Sequence, residues 1–369
     1  MMLGKAPRLM TFSRMARSAF PGAGFALASA LLFGAGTPFA KLLLGEGLSP
    51  WLMAGLLYLG SGLGLSLVLL ARAAGTRTRS EAPIQKSDVP WLVLVILFGG
   101  VAGPVLLMLG LLHTPASTAS LLLNLEGLAT LMIAWTVFHE NADRRILLGA
   151  VAILAGAVLL SWQGGPRPVG FGALAVAGAC LCWGIDNNLT RKISGSDPVQ
   201  IAAAKGVVAG AVNLTLALAS GARLPAPLQV GEAALLGFLS YGVSLVFFVR
   251  ALRFLGSART GAYYTIAPFV GAVLAMAIFR EPLTMRLVAS SVLMALGLYL
   301  HLTERHEHEH LHAAMDHSHA HIHDAHHRHS HGPHDPPGEP HTHPHHHGRL
   351  RHSHPHFPDL HHHHSHQDG

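Results

Sequence analysis

The chain has 369 residues, half of them apolar and only 12% charged, with a mean hydropathy of +0.40 and a formal net charge of +6. A water-soluble domain carries about a quarter charged residues to keep its surface solvated, so a soluble fold is excluded for most of this chain. The basic excess does not point to nucleic acid, because Lys and Arg fall in short gaps between apolar runs, as membrane topology requires.

Lys5, Arg8, Arg14 and Arg17 precede the first apolar run, which contains the small-x-small triplet Ala28-Ser29-Ala30. The run before the triplet is too short for a signal sequence and continues to Leu44. Residues 1–19 therefore read as a cytoplasmic segment and the next residues as a membrane span. A span needs about 20 apolar residues. That length predicts ten helices, near 20–43, 50–71, 89–112, 115–138, 145–162, 169–191, 199–219, 231–253, 259–279 and 284–302. Connections as short as His113-Thr114 and Arg280-Glu281-Pro282 make neighbouring helices antiparallel. With the N-terminus inside, the inner segments hold most of the cations, among them Arg72, Arg77, Arg79, Lys86, Arg144, Arg145, Arg191 and Lys192. The outer ones hold only Lys41, Arg167, Arg223, Arg280 and Arg286, which predicts that both termini are cytoplasmic.

The two halves repeat. Asn124 to Glu140 aligns without a gap on Thr265 to Glu281, and the register continues through Arg145 with Arg286 and Gly156 with Gly297. Phe33-Gly34 matches Trp183-Gly184, Lys41 matches Arg191, and Pro50 lies opposite Pro198. Five helices per half is an odd number, so the second copy enters the membrane inverted. That predicts an all-α membrane protein of ten transmembrane helices, arranged as inverted five-helix repeats over 20–162 and 169–303 and suited to alternating access.

These residues resemble the EamA-type family of the drug/metabolite transporter superfamily over nearly all of 20–303. The signature is the duplicated helix ending in Phe138-His139-Glu140 and Phe279-Arg280-Glu281-Pro282. The resemblance implies a ten-helix carrier with a cavity between its halves, commonly exporting amino acids, metabolites or toxic organics across the bacterial inner membrane. The mid-helix proline of that family is present at Pro268, whereas the first half has Gly127 at this place, preceded by Glu126 where the second half has Ala267.

Ionisable groups inside spans cost about 2.5–3.5 kcal/mol at the centre on insertion scales and mark cavities or pathways. Glu126 is the deepest, and reads either as a proton-coupling or substrate-binding carboxyl or as a neutral acid hydrogen-bonded near Asn124. Asp186, Asn187 and Asn188 form a polar cluster, with Lys205 expected at similar depth. An Asp186–Lys205 ion pair would form an inner gate, a site for a zwitterion, or an inner-rim pair that snorkels into headgroups. Pro38, Pro104 and Pro268 interrupt spans and can free backbone carbonyls near a cavity. Gly60 with Gly64, and Gly206 with Gly210, have the spacing of close helix contacts. Cys180 and Cys182 point to different faces and predict no disulfide; Cys182 with Asp186 offers too few ligands for a metal site.

Of the 29 histidines, 27 lie in the last 69 residues. Residues 304–369 have almost no apolar content and predict a disordered, His-rich cytoplasmic tail. Alternation at His306, His308, His310 and His312, and at His317, His319, His321 and His323, offers several imidazoles to one ion in extended or helical form. Such ligands suit Zn, Ni, Co or Cu; a rival reading is a pH-responsive polycation.

The leading reading is a carrier in the bacterial-type inner membrane that exports a small organic solute by proton coupling, with a tail that binds divalent metal. The alternatives are export of the metal itself (Ni, Co or Zn) and a non-transporting, membrane-anchored metal buffer or sensor. No Ser/His/Asp arrangement, phosphate loop or HExxH motif suggests an enzyme, and no cofactor is required. The partners expected are the lipid bilayer, a small-molecule substrate and divalent metal ions.

Overall fold

The computed structural model describes residues 12–74, 83–137, 144–162, 169–193 and 196–302, with the tail backbone at 307–312, 315–321, 341–347 and 350–355. Thirteen α-helices run through the described part of residues 12–302: α1 Phe12–Gly45, α2 Pro50–Ala74, α3 Val89–Val95, α4 Gly103–His113, α5 Ala116–Leu122, α6 Leu125–Val137, α7 Arg144–Ser161, α8 Phe171–Thr190, α9 Pro198–Ala219, α10 Pro227–Gly237, α11 Ser244–Tyr264, α12 Ala267–Phe279 and α13 Met285–Leu302. Seven helical stretches in the described residues are long and apolar enough to cross a membrane, with α12 and α13 as shorter apolar helices. The remaining helix, α8, carries the polar run Asp186-Asn187-Asn188 near its end.

Several predicted spans are compound. A π-helical segment, Ile96–Ala102, joins α3 to α4, and a second, Phe238–Val243, joins α10 to α11. The span 116–137 is broken at Leu123-Asn124 between α5 and α6, and the chain breaks again at Thr265-Ile266 before α12. One boundary differs from the sequence expectation: helices ending at 253 and starting at 259 are instead a single helix, α11, unbroken to Tyr264. Between Leu252 and Arg259 there is no proline, whereas Pro115 separates α4 from α5. Pro268 does not kink a helix. It occupies the first turn of α12, just after the break, where its missing N–H breaks no bond. Pro104 likewise opens α4, and Pro38 lies buried within an uninterrupted α1.

Helix ends are set by local chemistry. Asp197 caps α9 by accepting from Val199 N at 2.8 Å ahead of Pro198. Arg280 ends α12 in the left-handed region at φ 53°, and the Glu281 carboxylate that follows accepts from Ala116 N at 2.8 Å and Ser117 N at 3.0 Å. The ammonium of Lys41 donates to the carbonyl of Leu111 at 2.7 Å and to that of Thr114. The second and first halves thus both grip the α4–α5 turn.

In the packing, α2 lies on α9, α7 on α13, α1 on α11 and α12, and α8 on α4 and α6. The α2–α9 contact is close because Gly62 and Gly206 face each other, where either Cβ would strike backbone. Gly210 also packs on α2, but Gly60 and Gly64 pack against Ala234 and Phe238. Leu63, Leu67, Leu70, Leu148, Val151, Val273 and Val292 are exposed, giving the apolar exterior that lipid requires. Trp51, Trp91, Trp135 and Trp162 are exposed near helix ends, the place of an aromatic belt, while Trp183 is buried.

Where the sequence predicts no fixed structure, the tail backbone forms two antiparallel ribbons, β1 (Glu307–His312) with β4 (Leu350–Pro355) and β2 (Met315–His321) with β3 (His341–His347). Backbone pairing is all that such apolar-poor strands can offer, and a lone two-stranded ribbon is only marginally stable in water.

Candidate functional site

Glu126 lies in the first turn of α6, immediately after the break at Leu123-Asn124. Its carboxyl accepts from Asn187 Nδ2 at 3.0 Å, and the same amide nitrogen donates to Thr130 Oγ1 at 3.2 Å. Thr130 in turn donates to the Glu126 carbonyl at 2.9 Å, one turn back. Asn188 fixes the two helices together by donating to the Thr130 carbonyl at 3.0 Å and to the Gly184 carbonyl at 2.8 Å. Close approach of α8 to α6 is permitted by Gly184, where a Cβ would press on Ala129 and Thr130. Asn187 is exposed and Glu126 half-buried. The exposed apolar residues of α8 are Phe171, Leu174 and Leu181; Asn187 lies off that stripe, on another side of the helix.

Asp186 and Lys205 form the ion pair the sequence predicted. Their side chains are 7% and 18% exposed, so the pair sits inside the bundle rather than snorkelling from its rim. Thr190 Oγ1 donates to the second Asp186 oxygen at 3.1 Å. The pair rests against the π-helical segment at Gly99, where a Cβ would overlap the carboxylate. That segment is stitched by side chains the sequence reading did not single out. Tyr58 Oη and Trp183 Nε1 donate to the Gly99 carbonyl at 2.7 and 3.1 Å, and Asn213 Nδ2 donates to the Gly100 carbonyl at 3.0 Å. A π turn leaves carbonyls with a displaced partner, and these three donors supply one. The doublet Gly99-Gly100 inside an apolar run was the available signal.

Aromatic rings from the two halves pack together. Phe33 packs on Tyr241 and Tyr264 at centroid distances of 5.9 and 5.4 Å, and Tyr58 packs on Tyr241 at 5.5 Å.

Other sequence candidates are placed elsewhere. Asn124 is buried and donates to the Leu121 carbonyl at 2.8 Å, with Met294 Sδ at 3.7 Å, so it holds the helix break rather than the Glu126 carboxyl. Pro268 sits beside Ala267, whose backbone packs on Gly34 of α1. Cys180 Sγ donates to the Leu122 carbonyl at 3.6 Å. Among the described residues, no three of His, Cys, Asp or Glu come together in a group that could hold a metal. In the tail, His308, His310 and His312 lie on β1 and His317, His319 and His321 on β2, while His306 and His323 lie outside the described residues.

The comparisons with known proteins agree with this architecture. A relative from Methanothermobacter thermautotrophicus, described as an uncharacterized transporter, is 32% identical over 235 residues, covering 62% of this chain and 68% of its own. The uncharacterized transporter YyaM of Bacillus subtilis is 22% identical over 250 residues, covering 64% of this chain and 80% of its own. A solved crystal structure, 19% identical, shares the fold with a TM-score of 0.55 over 77% of this chain and 95% of its own. The sequence pattern of the EamA-like transporter family matches at residues 20–162 and again at 170–303. With that double match spanning the helical bundle, the chain belongs to the EamA-like transporter family, and it is a multi-pass membrane transporter.

Proposed function

We propose that this transporter is a proton-coupled secondary carrier that exports a small organic solute, with Glu126 as the coupling carboxyl. The observation that carries the proposal is the setting of that carboxyl. Among the described residues Glu126 makes no ion pair, its hydrogen-bond donor is the neutral Asn187, and Asn187 is exposed while Glu126 is half-buried. A lone carboxyl at such a place can hold a proton or a solute in turn. Asp186 and Lys205 satisfy each other and brace the neighbouring π segment, a positioning role.

In this reading the bundle consists of ten spans in two inverted repeats. The family pattern occurs twice. The π segments at 96–102 and 238–243 and the breaks at 123–124 and 265–266 recur at the spacing of the internal repeat. The packing supports it too: α8 on α4 and α6 mirrors α1 on α11 and α12, with α2 on α9 and α7 on α13 between the halves. Both termini are cytoplasmic and the membrane is a bacterial-type inner membrane. The His-rich tail takes up divalent metal as a buffer or regulator, and the protein is not an enzyme.

Cells expressing the full chain, a chain ending at Thr303, and Glu126→Gln test the proposal through tolerance to a panel of organic solutes and cellular Ni, Co and Zn content. The expected result is tolerance to an organic solute that requires Glu126 and survives removal of the tail. A fall in cellular metal that Glu126→Gln abolishes would instead make the metal the cargo. Loss of all function on removing the tail, with Glu126→Gln silent, would make the protein a membrane-anchored metal buffer.

A further inference from the structure

We propose that the tail builds a divalent-metal site of four imidazoles across two strands, His317 and His319 of β2 with His345 and His343 of β3, and a second of the same kind across β1 and β4. This deepens the reading of the tail as a metal-binding segment and rests on it.

The assignment comes from strand register. In the β2–β3 ribbon His317 stands opposite His345, His319 opposite His343 and His321 opposite His341. Alternate positions of a strand share a face, and directly opposed positions share it too, so the three pairs form one row. The positions between them hold Ser318 and Ala320, set against Pro344 and Thr342. The β1–β4 ribbon repeats the pattern, with His308 opposite His354 and His310 opposite His352. A slip of one residue would break both rows, setting His319 against Thr342 or Pro344 and His310 against Arg351 or Ser353. The register is therefore the one that opposes histidine to histidine, and it joins segments that lie more than 20 residues apart in the chain.

The spacing suits one ion for every two pairs. Directly opposed Cβ atoms on a ribbon are about 5 Å apart, within the span of two imidazoles that share an ion at about 2.0–2.1 Å. The next pair on the same face lies about 7 Å further along, so two adjacent pairs offer the four nitrogens of a closed tetrahedral zinc site. An all-imidazole set favours zinc, nickel or copper over magnesium or calcium. Among the described residues no group of three metal-ligating side chains is assembled beforehand; the ion gathers the four on a backbone that already opposes them. The ion also supplies what the ribbon lacks. Two strands without a core are only marginally stable in water, and opposed imidazoles repel once protonated. Metal bound to the paired form adds its binding free energy to the folding of the ribbon.

The test uses the full chain in detergent, carrying Cys180→Ser and Cys182→Ser, with nitroxide labels at Ala320→Cys and Thr342→Cys, two directly opposed positions outside the proposed ligands. Zinc is the probe, and a chain ending at Thr303 without the labels is the control for metal held elsewhere. Dipolar broadening of the nitroxide spectrum on adding zinc, reversed by a chelator, is expected. His317→Ala/His319→Ala and His343→Ala/His345→Ala should each abolish the broadening and weaken the tightest zinc binding by about 10-fold or more, and all four substitutions together should cost no more than either pair, as for groups that act as one unit. Zinc bound tightly by the tail without broadening, or losses from the two pairs that simply add, would show chelation by separate local runs: the cross-strand site falls and the metal-binding tail stands. Zinc binding no greater than in the chain ending at Thr303 would overturn both.

Discussion

At the break in the fourth span the first half reads Asn124-Leu125-Glu126-Gly127, and at the matching break the second half reads Thr265-Ile266-Ala267-Pro268. In the second half one helix, α11, runs from the π segment to the break, whereas in the first half α4 and α5 share that path, and both breaks are followed by a 13-residue apolar helix packed on the first helix of the opposite half. The scaffold is duplicated but its chemistry is not: one half has a half-buried carboxyl bonded to Asn187, while the other presses a buried alanine backbone on Gly34. The same asymmetry recurs one helix away. Gly99 faces the Asp186–Lys205 pair, whereas its repeat partner Ser240 packs on Gly36. Duplication fixed where helices break and touch, while the internal charges follow no such symmetry: Glu126 stands in the first half, and Asp186 and Lys205 in the second.

The largest effect that would break the comparison is at the unmatched carboxyl. Glu126→Gln is expected to reduce solute export by about 100-fold, within the range that proton-transfer groups contribute, measured as initial efflux rates. Restoring a carboxyl at the matching place by Ala267→Glu should not rescue it, because that position is buried against α1.

Next is the ion pair. Asp186→Asn leaves Lys205 buried without its counter-charge and should destabilise the bundle by about 3 kcal/mol, read as a lowered midpoint of thermal unfolding in detergent. The double variant Asp186→Asn/Lys205→Met should recover much of that loss. Equal loss in the single and double variants would deny the pair its bracing role.

Smaller effects sharpen the same contrast. Gly99→Ala should lower the unfolding midpoint clearly, since its Cβ displaces the pair, whereas Gly36→Ala needs the Ser240 side chain to shift by only tenths of an ångström and should cost less. Smallest is Glu281→Gln, which weakens two charge-assisted bonds to the start of α5 and should cost about 1 kcal/mol.

Much of this was legible in the sequence, because hydropathy length and internal repetition are strong signals. Helix positions followed from apolar runs, and the Asp186–Lys205 pair followed from the cost of leaving either charge alone in a span. What was not legible depended on backbone detail. A π turn adds one residue without changing hydropathy, so neither the segment at 96–102 nor its donors Tyr58, Trp183 and Asn213 could be read from composition. Asn124 was grouped with Glu126 by proximity in sequence, yet a helix break lies between them and turns it to Leu121 and Met294. The continuity of α11 was missed because Arg250, Arg253 and Arg259 resemble a loop, although nothing in the backbone there stops a helix. The packing of Phe33 of α1 on Tyr241 of the second π segment and on Tyr264 of α11 is a juxtaposition that only tertiary packing creates.

The most direct test of the central claim is proton movement in energised, inside-out membrane vesicles carrying the full chain. The readout is a pH-sensitive acridine dye after addition of a solute to which the chain confers tolerance. Proton release from the vesicle lumen on solute addition, absent with Glu126→Gln and unchanged in a chain ending at Thr303, is the expected result. Solute uptake that proceeds without proton release, or equal release with Glu126→Gln, would contradict it.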